Sequence, residues 1–244
     1  MSLVELEIRD GVAIITLNDP DRRNVLTVPM CEAILVGVAT AEADQSVHVL
    51  VVTGAGSAFC AGADLKDLEA ASRGDNAAVQ TVYRSFMAVA NSILPTIAAV
   101  NGPAVGAGFN LALACDMRVA SHAARFDSRF LKIGLHPGGG HSWLLLRALG
   151  WSRAARMLLA GQTLDGEAAQ AAGLADMLCD AGSLPDTALA LATPMVRTPR
   201  ELLLRTKASL RLAEASTHAD TFTHETAEQT WSLAQPAFAA LLKR

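Results

Sequence analysis

The chain opens with two short apolar-patterned runs, residues 3–8 and 12–17, separated by Asp10-Gly11. Runs of that length around an Asp-Gly pair predict a β-hairpin. After a polar loop over 18–27, residues 28–42 space their apolar side chains three and four apart, which predicts a helix. The run VHVLVV at 47–52 is continuously apolar, as in a strand covered on both faces. A Gly/Ala turn over 54–62 leads into a helix start at 63–70, and 73–76 is a polar break. Residues 79–94 read as a helix that Pro95 stops. A strand at 96–100, a small-residue turn at 101–110 and a helix at 111–115 then repeat the order strand, glycine turn, helix, and 117–120 reads as one more strand. Repeated β-to-α units predict parallel strands joined by right-handed crossovers, an α/β fold.

The second half is patterned differently. Residues 123–136 read as a mixed loop, and 141–149 and 152–160 as helices. Asp165 followed by 167–171 looks like a capped short helix, with Gly173 as its stop. Beyond Pro185 the chain is helical almost throughout, over 201–215, 218–233 and a last piece from Pro236. The expected organisation is an α/β core over residues 1–190 and a helical region over 191–244, whose apolar faces suit a partner subunit.

Composition narrows the class. Of 244 residues, 51% are hydrophobic and 18% charged, which fits a folded core and not a disordered chain. A net charge of −4 argues against nucleic acid as a partner. No run of 18 apolar residues is present, and MSLVELEIRD reads as a strand and not as a signal peptide, so a cytoplasmic protein without a membrane span is expected. Cys31, Cys60, Cys115 and Cys179 are widely spaced without a ligand pattern, which predicts reduced core thiols and no metal.

Three glycine-rich loops carry the candidate chemistry: 54–66 (GAGSAFCAGADLK), 102–110 (GPAVGAGFN) and 134–142 (GLHPGGGHS). None fits a nucleotide fingerprint. Gly106-x-Gly108 is followed by Leu111 where a dinucleotide-binding turn needs its third glycine, and no loop has the Lys-Ser/Thr of a P-loop. The G-x-S-x-G elbow of serine hydrolases is absent as well. In the second loop three glycines and two alanines sit in seven residues, just before a helix. Free backbone N–H groups at a helix start can hold an oxygen that becomes negative.

Taken together and in order, the wording is specific. FCAGADLKDL, then AAVNGPAVGAGFNLALACDMRVAS, then F-x-x-x-x-L-K-I-G-L-x-P-G-G-G resembles the crotonase family, the enoyl-CoA hydratase and isomerase relatives. PDRRNVLT and LLAGQTLDGEAAQAAGLA extend the resemblance over about residues 8 to 211. The resemblance implies a crotonase-like spiral of ββα repeats with a C-terminal helical region. It also implies trimers or pairs of trimers, and a coenzyme A thioester as substrate or ligand, with no prosthetic group. The thioester carbonyl would sit between the backbone N–H groups of Ala63 and Ala107. CoA would lie along the early loop and the first glycine loop, at Arg23, Val25, Ala61, Asp64, Leu65 and Lys66. Arg23 and Lys66 read by themselves are ordinary solvated charges.

The sequence departs from the family where hydration chemistry resides. Relatives that hydrate enoyl-CoA carry two glutamates, and the corresponding positions here are Asn110 and Phe130. Asparagine can orient a water but takes no proton from it at neutral pH, and phenylalanine does neither. Asp127, His136 and His141 are the nearby groups that could stand in. Asp127 could equally pair with Arg125 or Arg129, His136 could be a plain loop residue, and His141 could be held neutral at a helix start. A metal shared by His136 and His141 lacks a third ligand at suitable spacing. Three readings stay open: hydration with replaced groups, another crotonase reaction such as isomerisation, thioester hydrolysis or decarboxylation, and acyl-CoA binding without turnover.

Overall fold

The computed structural model describes residues 2–242. The hairpin forms as expected from strands β1 (Val4–Arg9) and β2 (Val12–Leu17), turned by Asp10 and Gly11, both at positive φ. Helix α1 (Val28–Ala43) follows, capped by the Thr27 side chain, which accepts from the Met30 N–H. Strand β3 (Val49–Gly54), helices α2 (Leu65–Ser72) and α3 (Ala77–Ala90), and strand β4 (Thr96–Val100) come next. Then come strand β5 (Pro103–Val105), helix α4 (Ala107–Ala114), and strands β6 (Met117–Ser121) and β7 (Arg125–Asp127). Helix α5 (His141–Leu158) joins the two expected helices across a kink at Gly150, where φ is +71°. Strand β8 (Leu164–Asp165), helix α6 (Gly166–Ala172) and strand β9 (Met177–Cys179) complete the mixed part. Asp165 caps α6 by accepting from Ala168 N, and Gly173 ends it in the left-handed region. Helices α7 (Leu184–Val196), α8 (Arg200–Ala215), α9 (His218–Leu233) and α10 (Pro236–Leu241) finish the chain.

Two sheets result. The larger runs β1-β2-β3-β4-β6-β9, antiparallel only at the hairpin, and the smaller runs β5-β7-β8. The central strand β4 is buried along its whole length, as its continuous apolar run requires. One face of the large sheet packs on α1, α3 and α4 around Phe59, Phe86 and Phe109. Its other face is covered by α7 through Leu184, Ala188 and Ala192. Strands β5 and β7 arise inside segments read from sequence as turn and loop, β8 lies at the start of the stretch read as a capped short helix, and all three are only two or three residues long.

Helix α8 is fastened to this core by charge. Lys207 Nζ, itself buried, reaches Leu94 O at 2.6 Å and Asp116 Oδ2 at 2.6 Å. Arg211 reaches Ala90 O at 2.6 Å and Asp116 Oδ1 at 3.1 Å. Three of the four thiols are buried, and burial pushes Cys60 and Cys115 up to about 12, so they stay protonated. Among the described residues no helix is long and apolar enough to cross a membrane.

Candidate functional site

The first two glycine turns are stitched together by backbone. Cys60 N donates to Pro103 O at 3.1 Å and Val105 N donates to Cys60 O at 3.0 Å. The Asn101 amide adds bonds to Gly56 O and Ala58 O. This approach needs glycine at Gly108, where an added Cβ would lie 2.3 Å from Cys60 O. Gly62 has φ +99°, and a Cβ there would lie 3.6 Å from Ala107 N. Ala63 and Ala107 are thereby brought into adjacent turns. Ala107 is the first residue of α4, so its N–H has no acceptor in the helix. Among the described residues neither the Ala63 nor the Ala107 N–H donates to another backbone or side-chain group.

Both turns face a cavity of about 880 Å3. Of the residues picked out from the sequence, Val25, Ala61, Ala63, Asp64, Leu65, Lys66, Ala107, Asn110, Phe130 and His136 line it. Arg23 does not; it is exposed in the left-handed region, where its carbonyl accepts from Ala61 N at 2.9 Å. Arg22 takes the place beside the cavity, paired with Asp19 at 2.5 Å. Asp64 caps α2, accepting from Lys66 N at 2.9 Å, so its carboxylate is engaged with backbone. His136 is exposed on the third loop and its Nδ1–H donates to Pro137 O at 2.8 Å. Tyr83 and Val79 of α3 supply an opposite wall that carried no motif in the sequence.

Asp127 lies off the cavity. It is buried, and Arg129 and Lys132 bond both of its oxygens. These cations outweigh burial and hold its carboxyl below the usual range, so it remains an ion. It also accepts from Arg129 N at 2.9 Å and clamps Arg129, a non-glycine residue at φ +58°. Asp127 is therefore a structural clamp of the turn that carries Ser128.

Two polar side chains of the cavity wall, Asn110 and Ser128, meet the His141 ring behind it. Asn110 Nδ2 donates to Gly138 O at 3.1 Å, which leaves Oδ1 to accept. His141 Nδ1 lies 2.5 Å from that oxygen, and His141 Nε2 lies 2.9 Å from Ser128 Oγ. This network assigns the proton to Nδ1 and leaves Nε2 as an acceptor for the Ser128 hydroxyl. The ring is fully buried between Phe109 and Phe130, with centroids at 5.4 and 4.9 Å. His141 begins α5, but the cause of its neutrality is burial, which pushes its pKa from 6.5 down to about 4.

That shift ties stability to pH. A depressed folded-state pKa gives a contribution present above pH 6.5 that is lost as pH falls through about 4. The loss amounts to roughly 3 kcal/mol at order of magnitude. Unfolding free energies from denaturant titrations at pH 7.5 and pH 4 are expected to fall by about that amount more in the native protein than in His141→Gln. Equal pH dependence in the two would contradict the assignment.

The second and third glycine loops thus meet through Asn110 and Gly138, while Ser128 had no sequence signal beyond its place between two charged residues. Among the described residues no group of three His, Cys, Asp or Glu is placed to hold a metal ion.

Known proteins share this architecture. The family profile described as enoyl-CoA hydratase/isomerase matches residues 7–235. A Mycobacterium tuberculosis (strain ATCC 25618 / H37Rv) protein named "Probable enoyl-CoA hydratase EchA14" is 49% identical over 247 residues, covering 98% of this chain and 95% of that protein. The 1,2-epoxyphenylacetyl-CoA isomerase of Escherichia coli (strain K12) is 35% identical, over 89% of this chain and 85% of its own length. The crystal structure of an enoyl-CoA hydratase from Polaromonas sp. JS666 superimposes with a TM-score of 0.90 at 30% identity, covering 98% of this chain and 96% of that one.

Proposed function

Because the chain belongs to the enoyl-CoA hydratase/isomerase family, we propose that it is an enzyme that binds an acyl-CoA thioester in the 880 Å3 cavity and polarises the thioester carbonyl. The observation that carries this reading is the pair of backbone N–H groups of Ala63 and Ala107, in adjacent turns that line the cavity and, among the described residues, without an acceptor in the protein. A carbonyl oxygen seated between them gains two donors, and each is worth more once the oxygen becomes negative, as in an enolate or a tetrahedral adduct. Lys66 and Arg22 at the cavity rim suit the phosphates of CoA, and Val25, Ala61 and Leu65 suit its nucleoside. Leu210, Phe222 and Leu233 are 69%, 65% and 53% exposed on α8 and α9, which supports assembly of this region as a homotrimer or a pair of trimers. The net charge of −4 suits a cytoplasmic protein.

Hydration by a carboxylate pair does not fit these residues. At Asn110 the amide is spent on Gly138 O and His141, and Phe130 has no proton to exchange. A trans-2-enoyl-CoA should therefore give no 3-hydroxyacyl-CoA, read by mass spectrometry of the products, while calorimetry detects its binding. Asn110→Glu combined with Phe130→Glu restores both carboxyl groups and should raise hydration from near zero. A native rate like that of ordinary hydratases overturns this reading of Asn110 and Phe130. Absence of binding overturns the acyl-CoA reading itself.

A further inference from the structure

The chain Asn110–His141–Ser128 has the connectivity of a nucleophilic triad, and it lies beside the two N–H donors. Ser128 follows β7, whose Asp127 O accepts from Gly106 N at 2.9 Å, one residue before Ala107. Ser128 and Asn110 both line the cavity, and His141 stands behind them, closed off by Phe109 and Phe130. The segment that presents Ser128 is held in a strained form. Arg129 is at φ +58°, and the Asp127 carboxylate grips its backbone N–H and its guanidinium together. Asn110 is fixed in turn by Gly138 O, so the imidazole can adopt one tautomer only, with Nε2 facing the hydroxyl.

We infer that Ser128 is a nucleophile, His141 its general base and Asn110 the group that positions the base, so that this protein hydrolyses saturated acyl-CoA thioesters. The inference rests on the acyl-CoA reading above. Ser128 Oγ attacks the thioester carbon, its proton passes to His141 Nε2, and the carbonyl oxygen becomes an oxyanion held by the Ala63 and Ala107 N–H groups. The C–S bond then breaks, and the CoA thiolate leaves with the proton from Nε2. Water attacks the resulting Ser128 ester, giving one proton to Nε2 as its oxygen joins the acyl carbon. The ester C–O bond breaks, Ser128 Oγ takes that proton back, and a carboxylic acid is released. Neither step requires the carboxylate pair that Asn110 and Phe130 displace, and no redox change occurs.

The test uses butyryl-CoA and octanoyl-CoA, which have no double bond to hydrate or isomerise. Thiol release is followed with a chromogenic thiol reagent, binding by calorimetry, and the protein by intact mass spectrometry after acid quench. The native protein should release thiol and carry an acyl group that peptide mapping places on Ser128, a result that needs no variant. Ser128→Ala should bind with affinity unchanged within about threefold and release thiol at least about 10³-fold more slowly, without adduct. Asn110→Ala should lower kcat with little change in KM, and Asn110→Asp should recover part of the loss. Binding without thiol release or adduct overturns the triad and leaves the acyl-CoA reading standing. Turnover in Ser128→Ala at the native rate also overturns it. Failure to bind either thioester overturns both.

Discussion

Ala107→Pro is expected to fold and to lose about 10²- to 10³-fold of its turnover of acyl-CoA thioesters. Proline suits the first position of a helix, where the missing N–H has no intrahelical acceptor and φ is already near the helical value. Ala107 is that first position of α4, and its N–H donates to nothing else among the described residues. The substitution therefore removes one donor from the cavity with little cost to the helix. Ala107→Gly is the matched control, since it keeps the N–H and should stay within about tenfold of native, helix propensity costing about 1 kcal/mol. The check is steady-state turnover of both variants beside their far-UV circular dichroism and thermal midpoints. Equal turnover in Ala107→Pro and Ala107→Gly would sink the proposed role of this backbone group, whichever reaction follows carbonyl polarisation.

The small-residue turn at 106–108 was legible in the sequence as a stretch with little side-chain bulk over the backbone before a helix. The sequence did not say what approaches it, and in the fold Cys60 O lies beneath Gly108. The large sheet was legible for a similar reason, because β3 and β4 are continuous apolar runs that only a doubly covered sheet accommodates. The small sheet was not. Its strands of two and three residues are too short for periodicity to register, and they form because Cys60 and Asp127 carbonyls find donors across the turns. The same limit hid Ser128. Asn110, Ser128 and His141 stand 18 and 13 residues apart in the chain, and nothing local requires them to meet. Asp127 was visible as a charged residue near the site, but its two cations make it a clamp for Ser128 and leave it no proton to move at neutral pH. His141 was read as a ring that a helix start could hold neutral, and burial, in a site walled by Phe109 and Phe130, is what pushes its pKa down.

Asp116→Ala should destabilise the protein by about 3 kcal/mol, the lower part of the range for breaking a buried ion pair. Asp116 is the junction of three elements. Its Oδ2 accepts from Thr96 N at 2.8 Å at the start of β4, from Thr96 Oγ1 at 2.9 Å and from Lys207 Nζ at 2.6 Å, while Oδ1 takes Arg211. Removing it leaves the Lys207 ammonium, 8% exposed, with Leu94 O as its remaining partner among the described residues. An uncompensated buried charge costs more than the pair was worth, whereas deleting both charges is milder. Lys207→Met in the Asp116→Ala background should therefore recover part of the loss, giving a favourable coupling in the double-mutant cycle. Burial already holds the Lys207 pKa below its ordinary value, with Asp116 opposing the shift. Without Asp116 the depression deepens, so the folded state sheds the Lys207 proton before the unfolded chain does. Stability that depends on a lowered folded pKa is gained as pH rises, so the deficit of Asp116→Ala should shrink from pH 7 towards pH 10. Urea midpoints of the four proteins across that range make the measurement. A deficit that stays constant with pH, or a double variant as weak as the sum of its parts, would mean that Lys207 carries no charge against Asp116. The consequence reaches the cavity, because Arg211 ties α8 to Ala90, the last residue of α3, and Lys207 ties it to Leu94 in the connection that follows, and α3 is the helix whose Val79 and Tyr83 line the cavity.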